Sequence, residues 1–259
     1  MPADDLFDVS GLRVLVTGGS RGIGAMIAEG LVRRGAIVTI TARDAEACQA
    51  QQERLAEWGE CHAVPANLAG EQGVAAVVAA LEEHGQLDVL VNNAGATWGA
   101  EFDSYPMDGF DKVMNLNVRA VFRLTQALLP LLTARATAQR PSRVINIGSV
   151  EGIMVSASQN YAYGASKAAV HHLSRQLARD LAARHVLVNS IAPGPFYSKM
   201  MAFALDDQEI RAELERSIPV GRIGSDDDMV GAAVYLLSRA SAYVTGTTLV
   251  VDGGLSGCS

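Results

Sequence analysis

Basic residues, cysteines and long apolar runs are what this chain lacks. Among 259 residues, Lys and Arg number 21 against 28 Asp and Glu, a formal net charge of −7. A protein whose main partner is nucleic acid needs a basic surface for phosphates, so that class is excluded. The three cysteines, Cys48, Cys61 and Cys258, are odd in number and far apart. They form neither a disulfide framework nor a CxxC metal pair, and are expected as free thiols of a reducing cytosol. No apolar run is long enough to span a bilayer. The opening Met1-Pro2-Ala3-Asp4-Asp5 is acidic where a secretory signal is basic, so a cytoplasmic protein is expected. No repeat, low-complexity segment or Pro/Gly-rich linker breaks the chain. Residues 1–259 are therefore read as one domain, a length that one core can serve. An apolar share of 49% against 19% charged excludes disorder and a coiled coil.

What the sequence has is alternation. Arg13–Thr17, Ala36–Ala42, Cys61–Pro65, Leu87–Val91, Arg143–Ile147, Val186–Ile191 and Thr247–Val251 are short and almost wholly apolar, as strands covered on both faces are. Between them Gly24–Arg34, Ala45–Trp58, Glu71–Glu83, Met107–Leu132, Ala165–Arg184 and Asp226–Ser238 read as helices. Ser225 and Asp228 form a capping-box pattern at the start of the last. In the helix near 165–184, Ala169, Leu173, Leu177 and Leu181 recur every four residues, a stripe expected to face the sheet. Such alternation predicts an α/β fold, a parallel doubly wound sheet with helices on both faces. Its ligand would sit outside the carboxyl ends of the strands.

The first strand runs into Thr17-Gly18-Gly19-Ser20-Arg21-Gly22-Ile23-Gly24 and then a helix. The spacing is GxxxGxG rather than GxGxxG. A glycine-rich turn alone is often only a turn, but between a first strand and a helix it suits a pyrophosphate. The second strand ends Thr41-Ala42-Arg43-Asp44. Sites for NAD often place an acidic residue here, on the ribose hydroxyls. Ala42 takes that place, and Arg43 together with Arg21 suits a 2′-phosphate, which favours NADP(H). The other reading makes Arg43 a surface residue paired with Asp44.

Further along, Asn92-Asn93-Ala94-Gly95 ends one strand and Ser149 follows another. Tyr163 and Lys167, at i and i+4, share a helix face. A neighbouring ammonium favours phenolate, which would bring Tyr163 into the range of a proton donor and acceptor. Ser149 would hydrogen-bond a substrate carbonyl oxygen. Tyr161 has Ala165, not Lys, four residues on. Asn117 sits mid-helix among apolar neighbours. It reads either as a satisfied core amide or as a local distortion holding a water that serves Lys167.

Together these residues resemble the short-chain dehydrogenase/reductase family over essentially the whole chain, and within it the branch of 3-oxoacyl-[acyl-carrier-protein] reductases. The resemblance rests on Thr17-Gly18 with Gly22-Ile23-Gly24, Asn92 to Gly95, Asn117, Ser149, Tyr163 with Lys167, Pro193-Gly194, and Val251-Asp252-Gly253-Gly254. It implies a single-domain Rossmann-type sheet of seven strands in order 3-2-1-4-5-6-7, and a homotetramer. It implies a catalytic tetrad of Asn117, Ser149, Tyr163 and Lys167. Tyr163 is then the acid in reduction, Lys167 holds the nicotinamide ribose, Ser149 orients the carbonyl and Asn117 the relay water. Cofactor contacts are implied for Gly18, Ser20, Arg21, Gly22, Ile23, Gly24, Arg43, Asn67, Leu68, Asn93, Ala94, Gly95, Tyr163, Lys167, Pro193, Gly194, Phe196 and Ser198.

Two departures stand out. Asn67-Leu68 replaces the usual Asp before the hydrophobic residue near the adenine. Pro193-Gly194-Pro195-Phe196-Tyr197-Ser198 carries a second proline, and Ser where Thr is common. Residues 196–218 read as a substrate lid, with Met200, Met201, Phe203 and Leu205 suited to an acyl chain or simply to helix packing. Trp98 is a candidate for the chain's entrance. Arg135, Arg140 and Arg184 are candidates to meet an acidic carrier protein, or are ordinary solvated arginines. His171 and His172 are read as surface or subunit contacts, since no third ligand is spaced to make a metal site. The expected reaction is NADPH-dependent reduction of a 3-oxoacyl thioester. The alternatives are a reductase or dehydrogenase of a sugar, steroid or other small alcohol, and a non-enzymatic cofactor sensor.

Overall fold

The apolar runs become strands because each is sandwiched between two layers of helices. The computed structural model describes residues 6–156, 158–198 and 206–258. Its strands are β1 (Arg13–Thr17), β2 (Ile37–Thr41), β3 (Cys61–Ala63), β4 (Val89–Asn92), β5 (Ser142–Ile147), β6 (Val186–Pro193) and β7 (Thr248–Val251). All pair in parallel, in the order β3-β2-β1-β4-β5-β6-β7, as the resemblance implied. Along β1, Val14 and Val16 join one core and Leu15 the other. Side chains alternate with period two, yet both faces need apolar residues.

The helices are α1 (Gly22–Val32), α2 (Ala45–Ala56), α3 (Glu71–Glu82), α4 (Met107–Met114), α5 (Ala120–Thr133), α6 (Tyr161–Leu181), α7 (Gln208–Ser217) and α8 (Asp226–Leu237). Ile27 and Leu31 of α1 and Met229 and Leu236 of α8 pack on Val14, Val16, Val38 and Ile40. On the opposite face Val77 and Leu81 of α3 and Leu124 and Leu128 of α5 pack on Leu15, Leu90 and Val144. Each such buried side chain contributes roughly 1.5–3 kcal/mol relative to exposure. From β1 the sheet is laid down first to one side and then, at β4, to the other. The carboxyl ends of β1 and β4 therefore flank the switch-point crevice.

Several expectations shift. The long helix over Met107–Leu132 is interrupted by a π-helical turn at Asn115–Arg119, the distortion that Asn117 suggested. Helix α6 begins at Tyr161 rather than Ala165, so Tyr163 lies within its first turn. The stripe Ala169, Leu173 and Leu177 is only half-buried. The buried face of α6 is Ala162, Ser166, Val170, Ser174 and Ala178, because small residues let a helix lie close to the strands. The capping box forms as read: Ser225 and Asp228 bond reciprocally at the start of α8. Arg222 also grips the Asp228 carboxylate, at 2.6 and 3.0 Å. Cys48, Cys61 and Cys258 are free thiols. Among the described residues, no helix is long and apolar enough to cross a membrane.

Candidate active site

The glycine-rich turn is stitched to the neighbouring strand end. Thr17 closes β1, and its Oγ1 accepts from the backbone N–H groups of Asn93 and Ala94, both at 2.9 Å. Asn93 Nδ2 donates to the carbonyls of Thr17 at 2.9 Å and Gly18 at 3.3 Å. The glycine spacing follows from this closeness. A Cβ on Gly24 would lie 2.3 Å from the Gly18 carbonyl oxygen and 2.4 Å from Asn93 Nδ2. Gly18 itself has φ +66°, the left-handed region that glycine adopts freely. Arg21 occupies the N-cap position of α1 without a side-chain cap bond. The first-turn N–H groups are thus left for an anion. Ser20 is half-buried in the same turn.

Arg43 is exposed at the end of β2. Asp44 is not its partner: the Asp44 carboxylate caps α2, accepting from the Ala47 N–H at 3.1 Å. Neither Arg21 nor Arg43 forms an ion pair among the described residues. Asn67 is exposed, its Oδ1 accepting from the Ala69 N–H at 3.2 Å, and Leu68 is buried behind it.

The tetrad residues converge between β4, β5 and α6. Asn117 is buried on the π turn. Its Nδ2 donates to the Ala96 carbonyl and to Ser166 Oγ, both at 2.9 Å, and its Oδ1 accepts from the Ala96 N–H at 2.8 Å. Ser166 Oγ in turn donates to the Tyr163 carbonyl at 2.7 Å. Asn117 is therefore a satisfied amide and a distortion at once: it ties the Asn-Ala-Gly loop to the helix that carries Tyr163. A Cβ on Gly95 would lie 3.3 Å from Asn117 Oδ1 and 3.8 Å from Lys167 Nζ. Lys167 Nζ donates to the Ile147 carbonyl at 2.7 Å and lies 5.4 Å from the centre of the Tyr163 ring. Ser149 follows β5, and its Oγ accepts from the Glu151 N–H at 3.2 Å.

Electrostatics correct one expectation. The Tyr163 phenol is pushed up to about 12, chiefly by burial; the Ser149 hydroxyl pulls it down and the Glu151 carboxylate raises it further. Burial also pushes the Lys167 ammonium down to about 8. Burial moves the two groups in opposite directions and disfavours the charged form of each, so the Tyr163 phenol stands above its ordinary value and not below it.

Other expected residues separate into those the cleft gathers and those it does not. Pro193 ends β6, and Gly194 abuts β7, where a Cβ would lie 2.7 Å from Asp252 Cβ. Ser198 sits beside Gly22: a Cβ on that glycine would be 3.3 Å from Ser198 Cβ. The Phe196 ring turns into the core against Gly224, so its side chain is not offered to a ligand. Trp98 lies flat on Gly109 of α4, with Lys112 Nζ 5.1 Å from its ring centre. Of the lid, α7 and Ser198 are described, while Met200, Met201, Phe203 and Leu205 lie outside the described residues. Arg135, Arg140 and Arg184 are exposed just before β5 and β6. They thus lie at the amino edge of the sheet, away from this chain's own crevice. His171 corrects the surface reading: it is buried, and its Nε2 accepts from the Ser149 N–H at 3.3 Å. His172 is exposed. Sequence reasoning also missed Thr17, Ser166 and Glu151 as connectors. A hydroxyl closing an apolar strand, and a serine one residue before Lys167, were the available signals.

A sequence model described as enoyl-(acyl carrier protein) reductase matches residues 18–256. The rhamnolipids biosynthesis 3-oxoacyl-[acyl-carrier-protein] reductase of Pseudomonas aeruginosa is 51% identical, over 96% of this chain and 97% of its own. Gluconate 5-dehydrogenase of Gluconobacter oxydans is 37% identical, over 99% of each. The solved Pseudomonas aeruginosa RhlG/NADP active-site complex superposes with a TM-score of 0.95 at 50% identity, covering 97% of this chain and 99% of that one. The chain belongs to the short-chain dehydrogenase/reductase family and is an oxidoreductase of that class.

Proposed function

We propose that this protein reduces 3-oxoacyl thioesters to 3-hydroxyacyl thioesters with NADPH. The observation that carries the reading is the meeting of Ser149, Tyr163 and Lys167 past the carboxyl end of β5: the Ser149 hydroxyl hydrogen-bonds Tyr163, and Lys167 Nζ lies 5.4 Å from the centre of the Tyr163 ring. The names of the relatives support the substrate: the 51% identical protein is a 3-oxoacyl-[acyl-carrier-protein] reductase, and its RhlG structural counterpart carries NADP.

The residues present fit this cofactor. Gly18 and Gly24 let the turn pack against Asn93 and Ala94 where any Cβ would collide, and α1 offers its first turn, which has no side-chain cap, to the pyrophosphate. Arg21 and Arg43, without an ion pair among the described residues, would hold a 2′-phosphate, and Asn93 to Gly95 would wall the ribose side. When bound, NADPH supplies a hydride for the substrate's C3. Ser149 donates a hydrogen bond to the C3 carbonyl oxygen as charge gathers there. Tyr163, protonated in the resting cleft, gives its proton to that oxygen, so ketone, hydride and proton yield the alcohol. Lys167 would hold the ribose and, once the phenolate forms, provide the nearby positive charge. Asn117 keeps the Asn-Ala-Gly loop and α6 in register.

Replacing Tyr163 by Phe should lower the rate of NADPH oxidation with acetoacetyl-CoA by about 10³-fold or more. NADPH binding, read by fluorescence titration, should stay near wild type. An active Y163F would remove Tyr163 from the mechanism. A second reading, oxidation or reduction of a sugar acid, has the gluconate relative behind it. Turnover of gluconate-type substrates with none of 3-oxoacyl thioesters would establish it instead. Acyl carrier protein as the natural carrier, a cytoplasmic location and a homotetramer belong to the same proposal. Light scattering on the purified protein checks the last.

A further inference from the structure

One buried side chain touches Ser149 and has no part in the steps above. His171 lies one turn beyond Lys167 on α6 and is 5% exposed. Its environment follows from where the sheet ends. The Gly148 N–H still pairs with β6, donating to the Ile191 carbonyl at 2.7 Å. The next N–H, that of Ser149, has run off the strand and finds His171 Nε2 at 3.3 Å. The ring reaches it only because residue 148 is glycine: a Cβ there would lie 2.1 Å from Nε2 and 2.7 Å from Cδ2. Ser149 is extended, φ −168°, and its hydroxyl caps the turn Val150–Gly152 by accepting from Glu151.

We propose that His171 is a positioning residue for the reduction: as a neutral imidazole it accepts the Ser149 N–H and sets the peptide from which the Ser149 hydroxyl is aimed at the substrate carbonyl. The acceptor role places the ring proton on Nδ1. A protonated ring would present a donor to a donor. Burial opposes that state, as do the charges of Lys167 and Arg175 on the same helix, and they hold the group down at about 4. Gly148 and Ser149, packed against the ring, bring no titrating group. A leucine would fill the space but leave a buried N–H unpaired, and the Ser149 peptide would turn to satisfy it. Displacing a catalytic donor by about 1 Å is enough to cost on the order of 10²-fold in rate.

The inference rests on Ser149 being the carbonyl donor, and Ser149→Ala tests that separately. An S149A enzyme with wild-type turnover overturns the reading of Ser149 itself. With S149A inactive, kcat and KM of H171L and H171Q are compared using NADPH and acetoacetyl-CoA. H171L should lose roughly 10- to 100-fold in kcat while its KM for NADPH stays within about twofold. H171Q, whose Oε1 can take the place of Nε2, should recover to within about threefold of wild type. H171L within twofold of wild type overturns the proposal. So does H171Q as impaired as H171L while both still bind NADPH, since shape alone would then be at work. Should H171L fail to fold, Gly148→Ala, which pushes the ring aside, replaces it: a kcat loss of about tenfold or more supports the assignment, and wild-type kcat refutes it.

Discussion

A phenol and an ammonium one helical turn apart attract each other, but both lose hydration in the same cleft. Here the second effect wins, leaving Tyr163 at about 12 and Lys167 at about 8. On the proposed reading, the acid of the reduction is thereby protonated near neutral pH. The group that titrates near neutrality is Lys167. Reduction should therefore weaken as pH rises through about 8, because the charge that receives the phenolate is lost. A kcat/KM profile for NADPH oxidation shows this as an alkaline limb, and a profile flat to pH 10 would contradict it. On the proposed reading, Arg43 sets cofactor choice by charge. Arg43→Ala should raise the Kd for NADPH by roughly 10- to 100-fold, the range expected for a hydrogen-bonded charge, and leave NADH within about threefold. Equal losses would transfer the 2′-phosphate to another group.

The glycine turn and the π turn do for whole elements what single side chains cannot. Gly24 lies so close to the Gly18 carbonyl that α1 can start only where it does. Gly24→Ala has backbone, not a flexible side chain, to displace. It should cost about 1–3 kcal/mol of stability and abolish the melting-temperature rise on adding NADPH, both read by differential scanning fluorimetry. Much of this was legible: the turn, the strand ends and the i, i+4 pair are local patterns. Asn117 was legible as a misfit, a polar amide in an apolar helix, and the five-residue π turn is how the chain accommodates it. The sheet-facing side of α6 was not legible. Leucines at 173 and 177 advertise burial, yet Ser166, Ser174 and Ala178 are buried more deeply, since the available gap, not hydrophobicity, selected them.

Over the whole molecule, the buried bases tie stability to pH. His171 stands at about 4 in the fold against 6.5 unfolded. Between those values the folded chain binds fewer protons, so stability falls as pH drops through the window. Lys167 has the same sign between about 8 and 10.5, where stability rises with pH. Tyr163 has the opposite sign, and its stabilisation is lost as pH rises from 10 to about 12. At the acid end Arg222 holds the Asp228 carboxyl well below its usual range, a contribution lost as that carboxylate is protonated. Thermal melts between pH 4.5 and 7 should be steeper with pH for wild type than for H171Q, which carries no titrating group there. Parallel curves would mean that His171 is as accessible to protons folded as unfolded.

The alternation of strands and helices, the phosphate-type turn and the Tyr163–Lys167 spacing were set by the sequence alone, because each depends on neighbours within a few residues or on a repeating apolar pattern; the strand order was only implied by the family resemblance, and the fold bears it out. Distance through space decided the rest. Only the packed chain shows that Asp44 caps α2 rather than pairing with Arg43, that Phe196 points inward, and that His171 meets Ser149. Burial is the largest influence on the titration of Tyr163, Lys167 and His171, and burial depends on residues tens of positions away that no local pattern names.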